Sequence, residues 1–253
     1  MTDRLARDPV EGDGIDWSGA HFRVIALHDR GFDRSEFKAF GVPAEESVER
    51  FQETVDIVLK AWTNEKLSFQ GKYFAYDGVE VLPKPLQAPH PPVWLAASST
   101  AAIERAAAGG FSILMDPHAS RADLIAKRKL YGERLKAAGH SETGRAIPMA
   151  RLIAIDETAE KARAVAERAA AWTVASYIGP THGNIRQEPR SFGGKEPIAF
   201  YVDDVILHGT AESLVDQINA LQEAAGMNYL LAAPLSRRSF DLLTDKVLPK
   251  VGG

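Results

Sequence analysis

Ser98, Ser99 and Thr100 stand in a row where one kind of chain gives way to another. Before them, Val93-Trp94-Leu95-Ala96-Ala97 is a short apolar run that reads as a buried strand. After them, residues 101–108 are alanine-rich and favour helix. Each hydroxyl can cap that helix. The first amide groups of a helix have no partner within it, and the dipole there favours negative charge, so a phosphate fits at the same point. On these residues alone, a cap and an anion seat both stand. Two further groups could do chemistry. His28 closes the apolar run 21–28 and is the best-placed acid or base, although a lone histidine commonly has only a structural part. Arg30 lies where that strand end meets a loop. Ligand sites gather at such ends in parallel α/β folds, and surface ion pairs also form there.

The elements that would position these groups alternate. Residues 21–28 read as a strand after a polar, irregular lead-in over 1–20. Residues 43–63 form the clearest helix, with Val48, Phe51, Val55, Val58, Leu59 and Trp62 on one face. Two alternating runs then flank Asp77-Gly78, a strong hairpin signal. Prolines 83, 85, 89, 91 and 92 give an extended connector. Strand 93–97, helix 101–108 and strand 111–115 follow. Next come helix 119–138, with Leu124, Ile125, Leu130 and Leu135 inward, strand 148–155, and a helix from 156 to about 175. Residues 177–205 show no periodicity and read as a long loop. It carries His182, Arg186 and Arg190 and would either face a substrate or be a disordered or dimer-contact segment. Helix 213–224, strand 227–234 and helix 240–251 close the chain. This order predicts an α/β fold of about five parallel strands with outer helices and one hairpin insertion.

Composition bounds the rest. The chain has 253 residues, 45% hydrophobic and 25% charged, enough for one large α/β domain. A net charge of −4 with scattered basic residues gives no footprint for nucleic acid. No apolar run reaches membrane-spanning length, and the first residues lack the apolar core of a signal peptide, so a cytoplasmic protein is expected. There is no cysteine, and the seven histidines lack ligand spacing, so no metal site or cysteine nucleophile is expected. Dinucleotide-binding, Walker, zinc-protease and nucleophile-elbow motifs are absent.

Read together, several segments resemble the bacterial luciferase-like flavin monooxygenases. Arg30-Gly31-Phe32-Asp33 followed by Glu36-Phe37-Lys38-Ala39-Phe40-Gly41-Val42 is similar to the family's segment after the fourth barrel strand. Val81-Leu82-Pro83-Lys84-Pro85 and then Pro91-Pro92-Val93-Trp94 resemble its run into the fifth. Ala97-Ser98-Ser99-Thr100 resembles its strand-to-helix turn, and His208-Gly209-Thr210-Ala211-Glu212 its entry to the last barrel helix. The resemblance implies a TIM-barrel-like fold over residues 21–253 that binds reduced FMN or, in a sister group, F420. It implies that Arg30 reaches the flavin phosphate, that Ser98, Ser99 and Thr100 hold it, and that Ala97 borders the ring. Asp29 falls where some members place a cysteine, so His28 and Asp29 become the catalytic candidates. The first three barrel strands have no counterpart in the sequence, which leaves an incomplete barrel. The implied activity is oxygenation of a small organic substrate by molecular oxygen. A flavin reductase would be the partner, residues 178–205 the lid and a homodimer the assembly. The alternatives are an F420-dependent oxidoreductase and a non-catalytic flavin-binding or assembly protein.

Overall fold

The computed structural model describes residues 14–17, 20–23, 34–177 and 192–251. They fall into two compact units, one ending at Pro92 and the other beginning at Val93.

In the first unit, β1 (Gly14–Trp17) pairs antiparallel with β2 (Ala20–Arg23). β1 lies within the stretch read as irregular. The antiparallel partner departs from the parallel strand expected over 21–28, and residues 24–28 lie outside the described residues. After α1 (Arg34–Ala39) comes α2 (Ser47–Thr63), entered through a 3-10 turn at Ala44–Glu46. It is the helix expected over 43–63. Its six apolar face residues are each half-buried, and Glu49 sits in the first turn where the dipole favours it.

The hairpin corrects the sequence reading. β3 (Lys66–Gln70) and β4 (Ala75–Glu80) pair antiparallel, but the chain turns at residues 71–74 and Asp77-Gly78 lies inside β4. Glu53 of α2 is the reason. Its carboxylate accepts the N–H groups of Lys72, Tyr73 and Phe74 at 2.6, 3.1 and 3.1 Å. A charged acceptor for three successive amides outweighs the local Asp-Gly preference. Gly71 permits the approach, since a Cβ there would collide with the Glu53 carboxylate. Asp77-Gly78 instead makes a bulge. The register shifts between Leu67 and Phe69, Gly78 has φ +63°, and its N–H donates to Ser68 Oγ at 3.0 Å.

The second unit begins with a strand–helix–strand crossover. β5 (Trp94–Ala96), α3 (Thr100–Ala108) and β6 (Ser112–Leu114) form it, and the two strands are parallel. α4 (Arg121–Ala137), β7 (Pro148–Ile155) and α5 (Ala159–Tyr177) follow. Residues 178–191, with His182, Arg186 and Arg190, lie outside the described residues. Residues 192–196 are irregular as expected, but from Pro197 the expected loop is helical. α6 (Pro197–Phe200) runs into a π-helical turn, Tyr201–Val205, which buries Tyr201, Val202 and Val205. A single turn of i→i+5 bonds is too short to show a period in the sequence. β8 (Leu207–Gly209) was likewise unexpected, being only three residues long. α7 (Ala211–Ala225), β9 (Tyr229–Pro234) and α8 (Arg237–Leu242) come next. A second π-helical turn, Leu243–Val247, leads into α9 (Leu248–Val251). The closing helical segment therefore begins at Arg237, three residues before the expected start, because Ser236 caps it.

β7 organises this unit. Successive residues of a strand hydrogen-bond to opposite edges. Pro148 O and the Ala150 N–H pair with Met115, and the Asp156 N–H reaches Gly209 O, all on one edge. Ile153 O on the other edge accepts from Leu235. The end of β6 and β8 therefore share one edge of β7, and β9 runs along the other, parallel throughout. One core packs Ile113, Met115, Met149, Ile153, Ile155 and Leu207 against α3, α4 and α7, and a second packs Ala154 against α5, α6 and the π turn. α4 turns Leu124, Tyr131 and Leu135 fully inward and leaves Ile125 39% exposed. Tyr131 displaces the expected isoleucine because its hydroxyl donates to Phe111 O at 2.8 Å, a partner that allows the ring to be buried.

Candidate cofactor site at the strand ends

Ala97 extends β5 by one residue, donating its N–H to Leu114 O at 3.4 Å, and is buried. Its methyl group is all that this position adds to the strand end. The chain then turns outward at Ser98, which is exposed. Ser99 is extended (φ −94°, ψ 154°), and its Oγ accepts the Ala102 N–H at 3.3 Å while its carbonyl takes the Ile103 N–H at 3.0 Å. Ser99 is thus the helix cap. Its hydroxyl proton is still available to a further acceptor, because the cap uses only a lone pair. Thr100 opens α3 and is exposed. Ala102, Ile103, Ala106 and Ala107 bury the other side of α3 and fix its axis on the sheet.

Among the helices of nine or more residues, the electrostatics of this turn set it apart. α2, α4, α5 and α7 each carry an acidic residue in the first turn, respectively Glu49, Asp123, Glu160 and Glu212. α3 carries none, and its one glutamate, Glu104, pairs with Arg134 at 2.9 Å. The N-terminal charge deficit of α3 is therefore met by no carboxylate of its own. Two exposed hydroxyls, a third with a proton to donate, and the leading amides make a donor set that fits a phosphate ester. No group in residues 97–100 titrates in the ordinary range, so the turn can bind but cannot move a proton.

Groups that can act as acids or bases lie on the neighbouring loop, which leaves the same end of the parallel pair. After β6, Asp116 accepts the His118 N–H at 2.8 Å through Oδ1, and the His118 ring meets the fully buried Tyr201 ring edge-on at 5.7 Å. Arg151 holds this region. It is 0% exposed on β7, and its guanidinium donates to Asp116 O (2.8 Å), Ala119 O (2.9 Å), Val205 O (3.4 Å) and Ala150 O (2.7 Å). Burial lowers its pKa to about 10. It stays protonated at neutral pH, since four carbonyl dipoles replace the lost water. Further along the same edge, half-buried His208 has its pKa held below the ordinary imidazole range, first by burial and then by the Arg163 cation.

Of the residues singled out from sequence, Ala97, Ser98, Ser99 and Thr100 are brought together as one strand-to-helix turn. His28, Asp29 and Arg30 lie outside the described residues. Arg151, His118 and Tyr201 were not singled out. Arg151 left a readable signal, a lone cation inside the apolar run PMARLIAI. His118 and Tyr201 left none, because 83 residues separate them and only the tertiary fold joins them. Among the described residues no cluster of three metal-ligating side chains occurs, and no helix is long and apolar enough to cross a membrane.

The FMNH(2)-dependent dimethylsulfone monooxygenase of Pseudomonas putida is 37% identical over 79 residues, 30% of this chain and 22% of that protein. An F420-dependent secondary alcohol dehydrogenase, solved with an F420-acetone adduct, superposes with a TM-score of 0.66 at 17% identity, covering 86% of this chain and 66% of that one. The oxygenating constituent of the 3,6-diketocamphane monooxygenase of Pseudomonas putida is a type II Baeyer-Villiger enzyme solved with FMN. It superposes at 0.63 and 18% identity, covering 87% and 69%. The chain thus spans about two thirds of the length of these solved structures. A model of the luciferase-like monooxygenase family matches residues 30–228, most of the sequence and all of the turn and strand ends described above. The chain belongs to the luciferase-like monooxygenase family.

Proposed function

We propose that the protein is a flavin-dependent oxidoreductase of this family, with residues 21–253 forming a partial (β/α) barrel that binds reduced FMN and acts on a small organic substrate with molecular oxygen. The observation that carries this reading is the β5–α3 turn, a helix start with exposed hydroxyls and no first-turn acid. Bound there, a reduced flavin supplies the electron pair that oxygen takes up. The residues of the chain have the other tasks. Ser98 and Thr100 would donate to the phosphate, Ser99 holds the helix start in place, and the small Ala97 would border the ring. By the family resemblance, Arg30 would add a cation to the phosphate. His28 and Asp29 lie next to Arg30 in sequence and are the candidates for proton transfer beside the ring. The relatives that act on dimethylsulfone and on a diketocamphane support a small organic substrate.

F420 is the second reading, supported by the F420-dependent alcohol dehydrogenase that superposes as well as the FMN enzyme does. Both cofactors end the ribityl chain in a phosphate ester, so the turn serves either. Parallel titrations with FMN and F420 distinguish them. Arg30→Ala is expected to weaken FMN binding about tenfold, the size of one charge-assisted contact. An unchanged titration curve would remove Arg30 from the site.

A further inference from the structure

β7 changes partners along one edge. At Met149 it pairs with Met115, just beyond β6; at Ile153 it pairs with Leu207 of β8. Between those points the ladder has a gap, and Arg151 stands in it. Backbone carbonyls buried at such a break need donors. The guanidinium supplies them to Asp116 and Ala119 on one side of the gap and to Val205 on the other. The two segments so joined are the loop that carries His118 and the π-helical turn that carries Tyr201, whose rings are in edge contact. On its outer side, exposed pairs also tie the π turn. Arg163 reaches Asp203 at 3.3 Å, Lys195 reaches Asp204 at 2.7 Å, and Arg121 donates to Asp203 O at 3.4 Å. Water and salt weaken such pairs. The buried guanidinium is a contact between loop and turn that solvent does not reach. π-helical turns are also a recurrent feature of functional sites.

We infer that Arg151 is a positioning residue: it clamps the 116–119 loop to the end of the Tyr201–Val205 turn and thereby sets His118 against Tyr201 at the mouth where the parallel strands end. A planar fork with five N–H donors suits this gap. A lysine keeps the charge, but as a single point it cannot span carbonyls on both sides, so Arg151→Lys isolates geometry from charge. The inference rests on the flavin reading only for what His118 faces; the clamp itself is independent of it.

The test uses the full chain as wild type, Arg151→Lys, His118→Asn and the double variant, with the histidine C–H resonances assigned. Arg151→Lys is expected to keep a cooperative melt and an FMN titration like that of the wild type. It should displace the His118 ring resonances, which the Tyr201 ring current reports. It should also slow air oxidation of bound reduced FMN about tenfold or more, as a misplaced group does. Adding it to His118→Asn should slow the reaction no further, because both changes remove one arrangement. Unmoved His118 resonances, or losses that multiply in the double variant, would overturn the proposal. If Arg151→Lys does not fold, the wild type decides. Its arginine spectra should contain one guanidinium with slowly exchanging N–H groups, and FMN should shift those resonances together with those of His118. Rapid exchange, or a shift in only one of the two, would contradict the clamp. If the wild type binds no FMN, the flavin reading fails, while the His118 resonances of Arg151→Lys still decide the clamp.

Discussion

Ser98 and Ser99 are chemically identical and adjacent, yet their expected roles separate cleanly. Ser99 caps α3, so Ser99→Ala should lower stability by about 1 kcal/mol, read as a fall in Tm. Ser98 is exposed, so Ser98→Ala should leave Tm unchanged and weaken FMN binding. The opposite pattern in the two melts would reverse the assignment. Arg151→Met presents a larger loss. It leaves the carbonyls of Asp116, Ala119 and Val205 buried without this donor and should cost about 3 kcal/mol or more in a denaturant titration. His208 gives a pH signature. Its folded pKa is depressed, so the unfolded state binds the proton more readily. That stability is fully present above the unfolded value near 6.5 and is lost as pH falls through the depressed folded value. His208→Gln should remove that part of the slope between neutral and mildly acid pH, and an unchanged slope would exclude His208 as its source. At this scale the sequence was legible where chemistry is local. A hydroxyl before a helix announces itself, whereas the His118–Tyr201 pair exists only after folding.

Elements were read well wherever one period held over many residues. α2, α4, β7 and α7 lie within a few residues of their expected bounds, because amphipathic repeats and caps are strong local signals. The hairpin was misread because a contact between residues distant in sequence decided it. Asp-Gly has the local preference, but Glu53, on another element, supplies acceptors to three amides at residues 72–74. Glu53→Ala should therefore destabilise the turn by about 1–3 kcal/mol, seen as lost amide protection at Lys72, Tyr73 and Phe74. Protection unchanged at these amides would mean that Asp77-Gly78 or the strands themselves hold the hairpin. The π-helical turns escaped for another reason, since a single such turn is too short to show a period in the sequence.

For the molecule as a whole, the α/β class and the alternation of parallel strands with helices were present in the sequence, and the family was visible in the order of several short motifs. The antiparallel β1–β2 pair was not, because a four-residue strand carries little periodic signal. Specific carboxylates should contribute to the loss of stability in acid. Glu142 is held below the usual carboxylate range by its hydrogen bond to Arg128. Glu212 and Glu160 are held low by their own backbone N–H groups and by threonines at their helix starts. Depressed folded values mean that this stability is complete above about pH 4.5 and is lost as pH falls through them. A phosphate seat at the start of α3 must separate FMN from riboflavin, which lacks only the phosphate. The wild type should bind FMN at least about tenfold more tightly than riboflavin, and Ser98→Ala with Thr100→Ala should narrow the difference. Equal affinity for the two flavins, or a preference untouched by those substitutions, would contradict it.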